Sequence, residues 1–282
     1  MISEKGFNEY SALIDEQARA AMDAIRAFAM QLSWGGTRES RGEARELLAD
    51  YAYDVVSSYG DNAAEIAAEY YDELASLAGA KVPRAIMADA PTREGVSASV
   101  SYQTRGVWDV SESGALLPVD SAAVSLSVAQ MAAGRVRTSA HETMYSNSLR
   151  NGNRFARVTT SSDPCAFCVM LASHGFTYLS EQSAIMAHNM RKYHDDCSCI
   201  AVSAFDDEGL EGHHDDADGY YELWDGASRA LPDKDTRAAW NAMGKAEQAK
   251  WTRTDHPTWY GYANYRTHAL LSKMRSMYGL KS

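Results

Sequence analysis

The sequence predicts a mostly helical α+β protein with three parts: an N-terminal helical region, a small central α+β unit with a Cys/His cluster, and a C-terminal helical region rich in aromatic residues. Three observations support this. Apolar residues recur at spacings of three and four in the first eighty residues, two β-like segments flank the cysteines, and aromatic residues at helical spacing follow residue 220.

The N-terminal region, residues 1–80, is predicted to contain three helices. The first carries a single apolar stripe, made of Tyr10, Leu13, Ile14, Ala18, Ala21, Met22, Ile25, Phe28, Ala29 and Leu32. The glycines of "SWGGT" at 33–37 should end it, and a second helix is expected over 38–59. "YGDN" predicts a break, after which Asp61 caps a third helix that ends at Gly79.

Residues 81–119 are predicted to form a connector, because prolines and scattered glycines interrupt any helical pattern there. The alternating run "VSASVSY" within it predicts one strand or a hairpin. Helix is expected to resume at Asp120, as a cap, and to continue to Leu149 with a bend at Gly134. "RNGN" at 150–153 should terminate it.

The central unit spans residues 120–205 and contains all four cysteines of the chain. After the long helix, "RFARVTT" and "CSCIAVSAF" are predicted strands, and "FTYLS" is a shorter one. "DPCAFCVMLASHG" begins with Asp and Pro and ends with Gly, as a short helix does. The last part, residues 206–282, is predicted to begin with a flexible acidic loop, "DDEGLEGHHDDADG", and to continue as aromatic-rich helices.

Composition excludes several classes of protein. A hydrophobic content of 45% and a charged content of 23% are those of a soluble globular chain, and no apolar run is long enough to span a membrane. The first residues lack the basic flank and apolar stretch of a secretory signal, so a cytoplasmic origin is expected. In that compartment clustered cysteines bind metal more often than they form disulfides.

The cysteines form two clusters with metal-ligand spacing. Cys165 and Cys168 make a C-x-x-C at a predicted helix start, and His194, Cys197 and Cys199 make an H-x-x-C-x-C that leads into a strand. Structural zinc takes four nitrogen or sulfur ligands, so the five candidates suffice for one ion. We therefore predict a structural zinc site. A packed set of buried free cysteines and a disulfide remain alternatives.

A zinc-dependent nucleobase deaminase is the catalytic alternative, since "PCAFC" matches half of that signature. The other half needs one residue between a ligand and the catalytic Glu, whereas His141 is followed directly by Glu142. The same segment fails as a metalloprotease H-E-x-x-H, because Tyr145 occupies the second histidine position. Phosphate-loop, dinucleotide-binding and serine-hydrolase motifs are also missing, so we predict a protein that is not an enzyme.

Charge is unevenly distributed along a chain whose net charge is −11. Residues 1–80 contain fifteen acidic and six basic residues, whereas residues 240–282 contain seven Lys or Arg and two acids. An acidic protein is a poor general DNA binder, because phosphate contacts dominate that affinity. Weak nucleic-acid contact is predicted for the basic segment only, at Lys245, Lys250, Arg253, Arg266, Lys273 and Arg275. A solvated helix face or an acidic partner would explain the same charges.

The segment "RFARVTTSSDPCAFCVMLASHG" followed by "YHDDCSC" and a strand resembles the phage head morphogenesis domain of minor head proteins, the family of the phage Mu F protein. Its pattern falls on Asp163, Cys165, Cys168, Gly175, His194, Cys197 and Cys199. Asp195 and Ser198 stand where the family has Pro and Arg. The resemblance covers about residues 120–205, and the long flanks look like versions from phages of actinobacteria.

This resemblance implies a minor capsid protein that associates with the portal inside the virion head and is made in the host cytoplasm. The implied role is head assembly or DNA delivery through protein contacts. The portal protein is the expected partner, with the major capsid or scaffold protein as a second candidate, and no membrane is involved. The alternative from a different class is a deaminase or toxin-like enzyme delivered with the phage DNA.

Overall fold

The computed structural model describes residues 2–160, 163–176, 199–206, 209–211, 213–251 and 261–281, and these form a mostly helical α+β fold, as predicted. The elements in chain order are α1 (Glu4–Ala29), α2 (Arg38–Leu77), α3 (Arg93–Gln103), a 3-10 turn (Arg105–Trp108), α4 (Ser121–Asn151), β1 (Arg154–Thr159), α5 (Ala166–Ala172), β2 (Cys199–Ala204), α6 (His213–Ala230), α7 (Asp233–Ala242), α8 (Lys245–Ala249) and α9 (Gly261–Tyr278).

Helix α1 follows its predicted apolar stripe. The Ser3 hydroxyl caps its first turn by accepting from the Gly6 N–H at 3.2 Å. Six stripe residues are buried, namely Tyr10, Ile14, Ala18, Ala21, Ile25 and Ala29, whereas Leu13 is 46% exposed. The helix ends before "SWGGT", as predicted. The ring of Tyr10 stacks on that of Tyr70, with centroids 4.3 Å apart, and this contact joins α1 to α2.

Helix α2 is one continuous helix of 40 residues, so the predicted break at "YGDN" and the cap at Asp61 are wrong. Gly60 lies buried inside the helix, and a Cβ added there would meet Ser139 Oγ of α4 at 2.8 Å. The glycine therefore permits close approach of two helices rather than ending one. The predicted start and end are confirmed: Thr37 and Ser40 form a capping box, and Gly79 follows the last turn with φ +64°.

Helix α4 passes between the other elements and is buried around much of its circumference. Its predicted cap is confirmed, since Asp120 Oδ1 accepts from the Ala123 N–H at 3.0 Å, and Gly152 ends it with φ +71°. Gly134 lies inside an uninterrupted α-helix, buried among its neighbours. The helix is therefore continuous through the position where the sequence predicted a bend, and the bend itself stays a prediction.

The predicted strand "VSASVSY" is wrong, because residues 93–103 form α3. Thr92 caps this helix by accepting from the Gly95 N–H at 3.1 Å. Val96 and Val100 are both fully buried. They are four residues apart, which places them on one side of a helix, so the spacing of a helix decides their structure and not the alternation of a strand. The hairpin expected in this connector reduces to one bridge, between Val110 and Leu116.

The connector is held in place by a buried arginine of α2. The guanidinium of Arg41 donates to the carbonyl oxygens of Gly35 at 3.0 Å and Leu117 at 2.8 Å, and also to that of Val107. Its side chain is 4% exposed. A buried cation is tolerated only when hydrogen bonds compensate for the lost water, and three carbonyls do so here.

Strands β1 and β2 form an antiparallel two-stranded sheet, which confirms the two predicted strands around the cysteines. The register runs from Arg154 opposite Ala204 to Thr159 opposite Cys199. Directly opposed residues share a face, so one face carries Val158 among others and the opposite face carries Phe155, Arg157, Thr159, Ser203, Ala201 and Cys199. The first face packs into the main core with α1, α2 and α4.

The second face of the sheet packs against a smaller core. This second core consists of Tyr145, Phe155, Ala166, Val169, Met170, Leu171, Ala227, Leu270, Leu271 and Met274. It joins α5, α6 and α9 to the sheet, and it confirms the predicted C-terminal helices among the described residues. The predicted acidic loop is wrong from residue 213 onward, where α6 begins. Ala217 and Ala227 of α6 are both buried, so the inward-facing side of this helix already begins within the acidic segment.

Two predictions remain outside what the fold describes. Residues 177–180 of the expected strand "FTYLS" lie outside the described residues, and Phe176 stands in a bend. The division at 80, 119 and 205 stays a prediction, although residues from the first and central parts share the main core. No described helix combines the length and apolarity that crossing a membrane requires.

We predict that Gly60→Leu lowers the free energy of unfolding by about 1–3 kcal/mol, because the larger side chain overpacks the contact between α2 and α4. Gly42→Leu is the matched control, since it lies in the same helix and a Cβ there meets nothing within 4 Å. Urea denaturation followed by circular dichroism measures both. Equal stability of the two variants would contradict the close-packing role of Gly60.

Candidate metal centre

Three of the four cysteines form one buried cluster. Cys165, Cys168 and Cys199 are 4%, 0% and 3% exposed, respectively, and all three are free thiols packed with Phe167. Cys165 is the N-cap residue of α5, and its Sγ accepts from the backbone N–H of Cys168 at 3.3 Å. The prediction that the C-x-x-C opens a helix is confirmed.

The cluster forms because β1, α5 and β2 meet at one end of the sheet. Cys199 is the first residue of β2 and pairs with Thr159, the last residue of β1. Cys165 lies near this end because α5 packs against β1. The Ala166 N–H donates to the carbonyl oxygen of Lys281 at 3.2 Å, and Lys281 Nζ lies 2.7 Å from Asp163 Oδ2. The segment after α9 therefore helps to position α5.

A buried arginine adjoins the cluster. Arg157 is 1% exposed, and its Nη2 donates to Cys199 Sγ at 2.8 Å. A guanidinium in a low-dielectric environment stabilises negative charge on a neighbouring sulfur. The sequence analysis missed this residue, although a signal exists: Arg154 and Arg157 are three apart in one predicted strand, so their side chains must point to opposite faces.

Helix α4 covers the free edge of β2 with polar side chains. The Ala201 N–H donates to His141 Nδ1 at 3.0 Å, and the Ser203 hydroxyl contacts the Ser148 hydroxyl and Met144 Sδ. Because Nδ1 accepts a hydrogen bond, it carries no proton in this arrangement. The lone pair of Nδ1 is thus occupied by this backbone hydrogen bond. His141 therefore helps to hold β2 against α4, which gives this histidine a structural role without any need for deaminase chemistry.

His174, just after α5, is half-buried. Its ring stands edge-on to that of Trp224 of α6, with centroids 5.9 Å apart. Burial lowers the pKa of His174, because desolvation disfavours the imidazolium form. Burial therefore favours the neutral form of this imidazole.

The predicted ligand set is divided by the limits of the described residues. Cys165, Cys168 and Cys199 come together as expected, whereas His194 and Cys197 lie outside the residues that the structure describes. Within the described ranges, no three His, Cys, Asp or Glu side chains are arranged to hold an ion by themselves. The donor chemistry nevertheless fits zinc, which takes up to four cysteine sulfurs, because three buried sulfurs and a neighbouring cation suit thiolate ligation.

The predicted nucleic-acid residues separate into two groups. Arg266 is engaged within the protein, where it donates to the Leu231 carbonyl at 3.1 Å and to Thr236 Oγ1 at 2.8 Å and lies 3.3 Å from Asp233. The side-chain hydrogen bond from Tyr262 and then the basic neighbours Arg237 and Arg266 lower the pKa of Asp233. Arg266 therefore contributes to packing of α7 against α9.

The other predicted basic residues are more accessible. Lys245 is exposed, Lys273 is half-buried, and Lys250 pairs with Glu247 on α8. Arg275 Nε donates to the Lys281 carbonyl at 3.4 Å, and Arg253 lies outside the described residues. Part of the positive charge therefore serves internal contacts, which leaves Lys245 and Lys273 as the best candidates for contact with phosphate.

These features define a helical protein with a small cysteine-bearing α+β unit, and comparison with known families identifies its group. The family model described as VG15 protein matches residues 1–227. The chain therefore belongs to the VG15 protein family, a family of viral or phage gene products, and is a phage-encoded protein. The match runs from α1 into α6 and so includes the N-terminal helices. No curated protein and no solved structure gives a significant match.

We predict that the purified protein contains one zinc ion per chain and that Cys168→Ser loses it. Loss of a structural metal removes folding free energy, so the Tm should fall by roughly 5–10 °C. Elemental analysis and differential scanning calorimetry measure the two effects. The internal control is a chelator, which should lower the Tm of the wild-type protein and leave that of the variant unchanged. Zinc-free wild-type protein with freely titrating thiols would contradict the prediction.

Proposed function

We propose that this phage protein is a minor head protein, a portal-associated minor capsid component that acts in head assembly or DNA delivery through protein contacts. In this proposal it resides inside the virion head near the portal and is present in the host cytoplasm during assembly. The portal protein is its principal partner, and the major capsid or scaffold protein is a second one. A structural zinc ion clips its central unit together.

The arrangement of β1, α5 and β2 is the observation that carries this proposal. A strand, a C-x-x-C at the start of a short helix and a second strand that begins at Cys199 follow the order expected from the head morphogenesis resemblance. Cys165, Cys168 and Cys199 lie in one buried cluster although Cys199 is far from the first pair in sequence. Membership of a phage gene-product family supports the same origin.

The zinc clip is proposed to be structural and not catalytic. Cys165, Cys168 and Cys199 would hold the ion together with His194 or Cys197, and the ion would supply folding free energy to a two-stranded sheet that is small for independent stability. His141 is followed directly by Glu142 and is the histidine that the deaminase hypothesis would use. Its Nδ1 accepts from the Ala201 N–H, which supports a structural role for it instead.

The proposed assembly surface lies on the N-terminal helices. Leu47 and Leu77 of α2 are 57% and 76% exposed, on a segment with a marked excess of acidic residues. Single exposed apolar side chains are common on soluble proteins, so the proposal rests on the acidic character of the surface in which these leucines lie. Because α1 and α2 share the main core with α4, deletion of residues 1–80 would expose that core. Point substitutions on the outer surface are therefore the appropriate test.

We predict that the protein copurifies with the portal protein of the same phage and that Leu47→Lys weakens this association. The substitution removes an exposed apolar side chain and adds one positive charge to an acidic surface. Affinity capture of tagged portal, followed by quantitative mass spectrometry of assembled heads, measures both. Leu126→Lys on α4 is the matched control, since Leu126 is also about half exposed at 46%. Unchanged capture and head incorporation of Leu47→Lys would contradict the assignment of this surface.

We predict weak, sequence-independent DNA binding by the basic C-terminal segment. Lys245→Gln and Lys273→Gln should each reduce the slope of log Kobs against log salt by about 1, because each removes one phosphate contact. Arg266→Gln is the control: its side chain is engaged internally, so its principal effect should be on stability. Fluorescence anisotropy over a salt series with two unrelated duplexes measures binding.

Tight binding that does not respond to salt would contradict the assignment of the basic segment. Single-stranded oligonucleotides containing cytosine or adenine test the non-enzymatic part of the proposal in the same preparation. A zinc-dependent base change that Glu142→Ala abolishes would establish the deaminase alternative instead.

A further inference from the structure

We infer that Arg157 is a positioning residue of the metal centre, a buried cation that offsets the excess negative charge of the zinc-thiolate group and orients Cys199 through its sulfur. This inference rests on the proposed zinc clip and adds a residue that lies outside both cysteine motifs. Arg157 does not bind the ion itself, because a guanidinium has no lone pair to donate.

The position of Arg157 in the sheet brings it to the cysteines. It stands opposite Ala201, so it shares the sheet face of Cys199, two residues earlier in β2. From there its Nη2 reaches Cys199 Sγ at 2.8 Å. The side chain is 1% exposed and therefore has no solvent to stabilise its charge. A cation at this depth needs a nearby anion or hydrogen-bond acceptors, and thiolate sulfur supplies a negative charge.

The charge of the ligand set explains why such a cation is useful. Each cysteine that binds zinc does so as a thiolate. Three thiolates bring three negative charges to an ion with two positive charges, which leaves a surplus of at least one negative charge in a buried site. The guanidinium of Arg157 offsets that surplus without competing for the ion. Neighbours that donate hydrogen bonds to metal ligands also fix ligand orientation, and their loss typically weakens metal binding by about 10–100-fold.

The second arginine of the strand provides a contrast. Arg154, three residues earlier, lies on the opposite face and donates from Nη2 to the carbonyl oxygen of Asp206 at 2.7 Å. It shares the same strand and charge but belongs to a contact with the segment after β2. A comparison of the two arginines therefore separates the effect of charge beside the cysteines from a general effect of an arginine in β1.

Zinc affinity of purified full-length variants tests the inference by competition with a chromophoric chelator at pH 7. Arg157→Gln and Arg157→Met should bind zinc about 10–100-fold more weakly than the wild-type protein. Arg157→Lys keeps a cation and should recover part of that loss. Arg154→Gln should bind zinc with wild-type affinity. Circular dichroism shows whether each variant folds. If one of the two neutral variants at position 157 does not fold, the other is enough to test the inference.

Cobalt substitution provides an independent measurement of the ligands. The wild-type protein and Arg157→Lys should show sulfur-to-cobalt absorption of similar intensity, whereas Arg157→Gln should require more cobalt to reach it. A purely structural role for Arg157 would lower the Tm of the metal-free protein and leave the zinc affinity unchanged, which would overturn the inference and preserve the metal clip. Absence of zinc from the wild-type protein would overturn both. Failure to associate with the portal would affect only the assembly role.

Discussion

Close packing of α2 against α4 is the constraint on which the rest of the structure depends. Gly60 of α2 faces Ser139 of α4 so closely that an added Cβ would lie 2.8 Å from the Ser139 hydroxyl, and small residues line both helices around it. This close approach allows α4 to be buried on most sides by α1, α2 and the sheet. Close packing on most sides fixes the position of α4, and the elements that contact α4 are positioned by it.

The candidate metal centre depends on α4 in this sense. His141, Met144 and Ser148 of α4 hold the outer edge of β2, and β2 in turn carries Cys199. The sheet face that carries Phe155 packs against α5, which holds the other two cysteines of the cluster at its start. The packing of these elements therefore determines where the three cysteines lie. The site combines this preformed support with donors of suitable chemistry, and the proposed zinc would complete it.

Local signals in the sequence predicted most of the helices and both strands, because capping residues and periodicity act over a few positions. The metal-ligand spacing of the two motifs predicted that Cys165, Cys168 and Cys199 come together. The errors occurred where long-range packing decided the outcome. Gly60 resembles a helix breaker until α4 lies against it, and the alternation around Val96 and Val100 gave way to their helical spacing once both were buried. Arg157 was missed because its importance depends on Cys199 in another strand, whereas its spacing from Arg154 shows only that the two arginines point to opposite faces.

The hydrogen bond between the Ala166 N–H and the Lys281 carbonyl has a consequence for the order of folding. Lys281 leaves the ribosome about 115 residues after Ala166, and domains form as units while synthesis proceeds from the N-terminus. The helical body built from α1, α2 and α4 can therefore assemble during translation. The start of α5, with Cys165 and Cys168, obtains its backbone partner only after α9 has been made. The contact between the start of α5 and the segment after α9 is thus expected to form late in folding, because it joins residues that are far apart in the sequence.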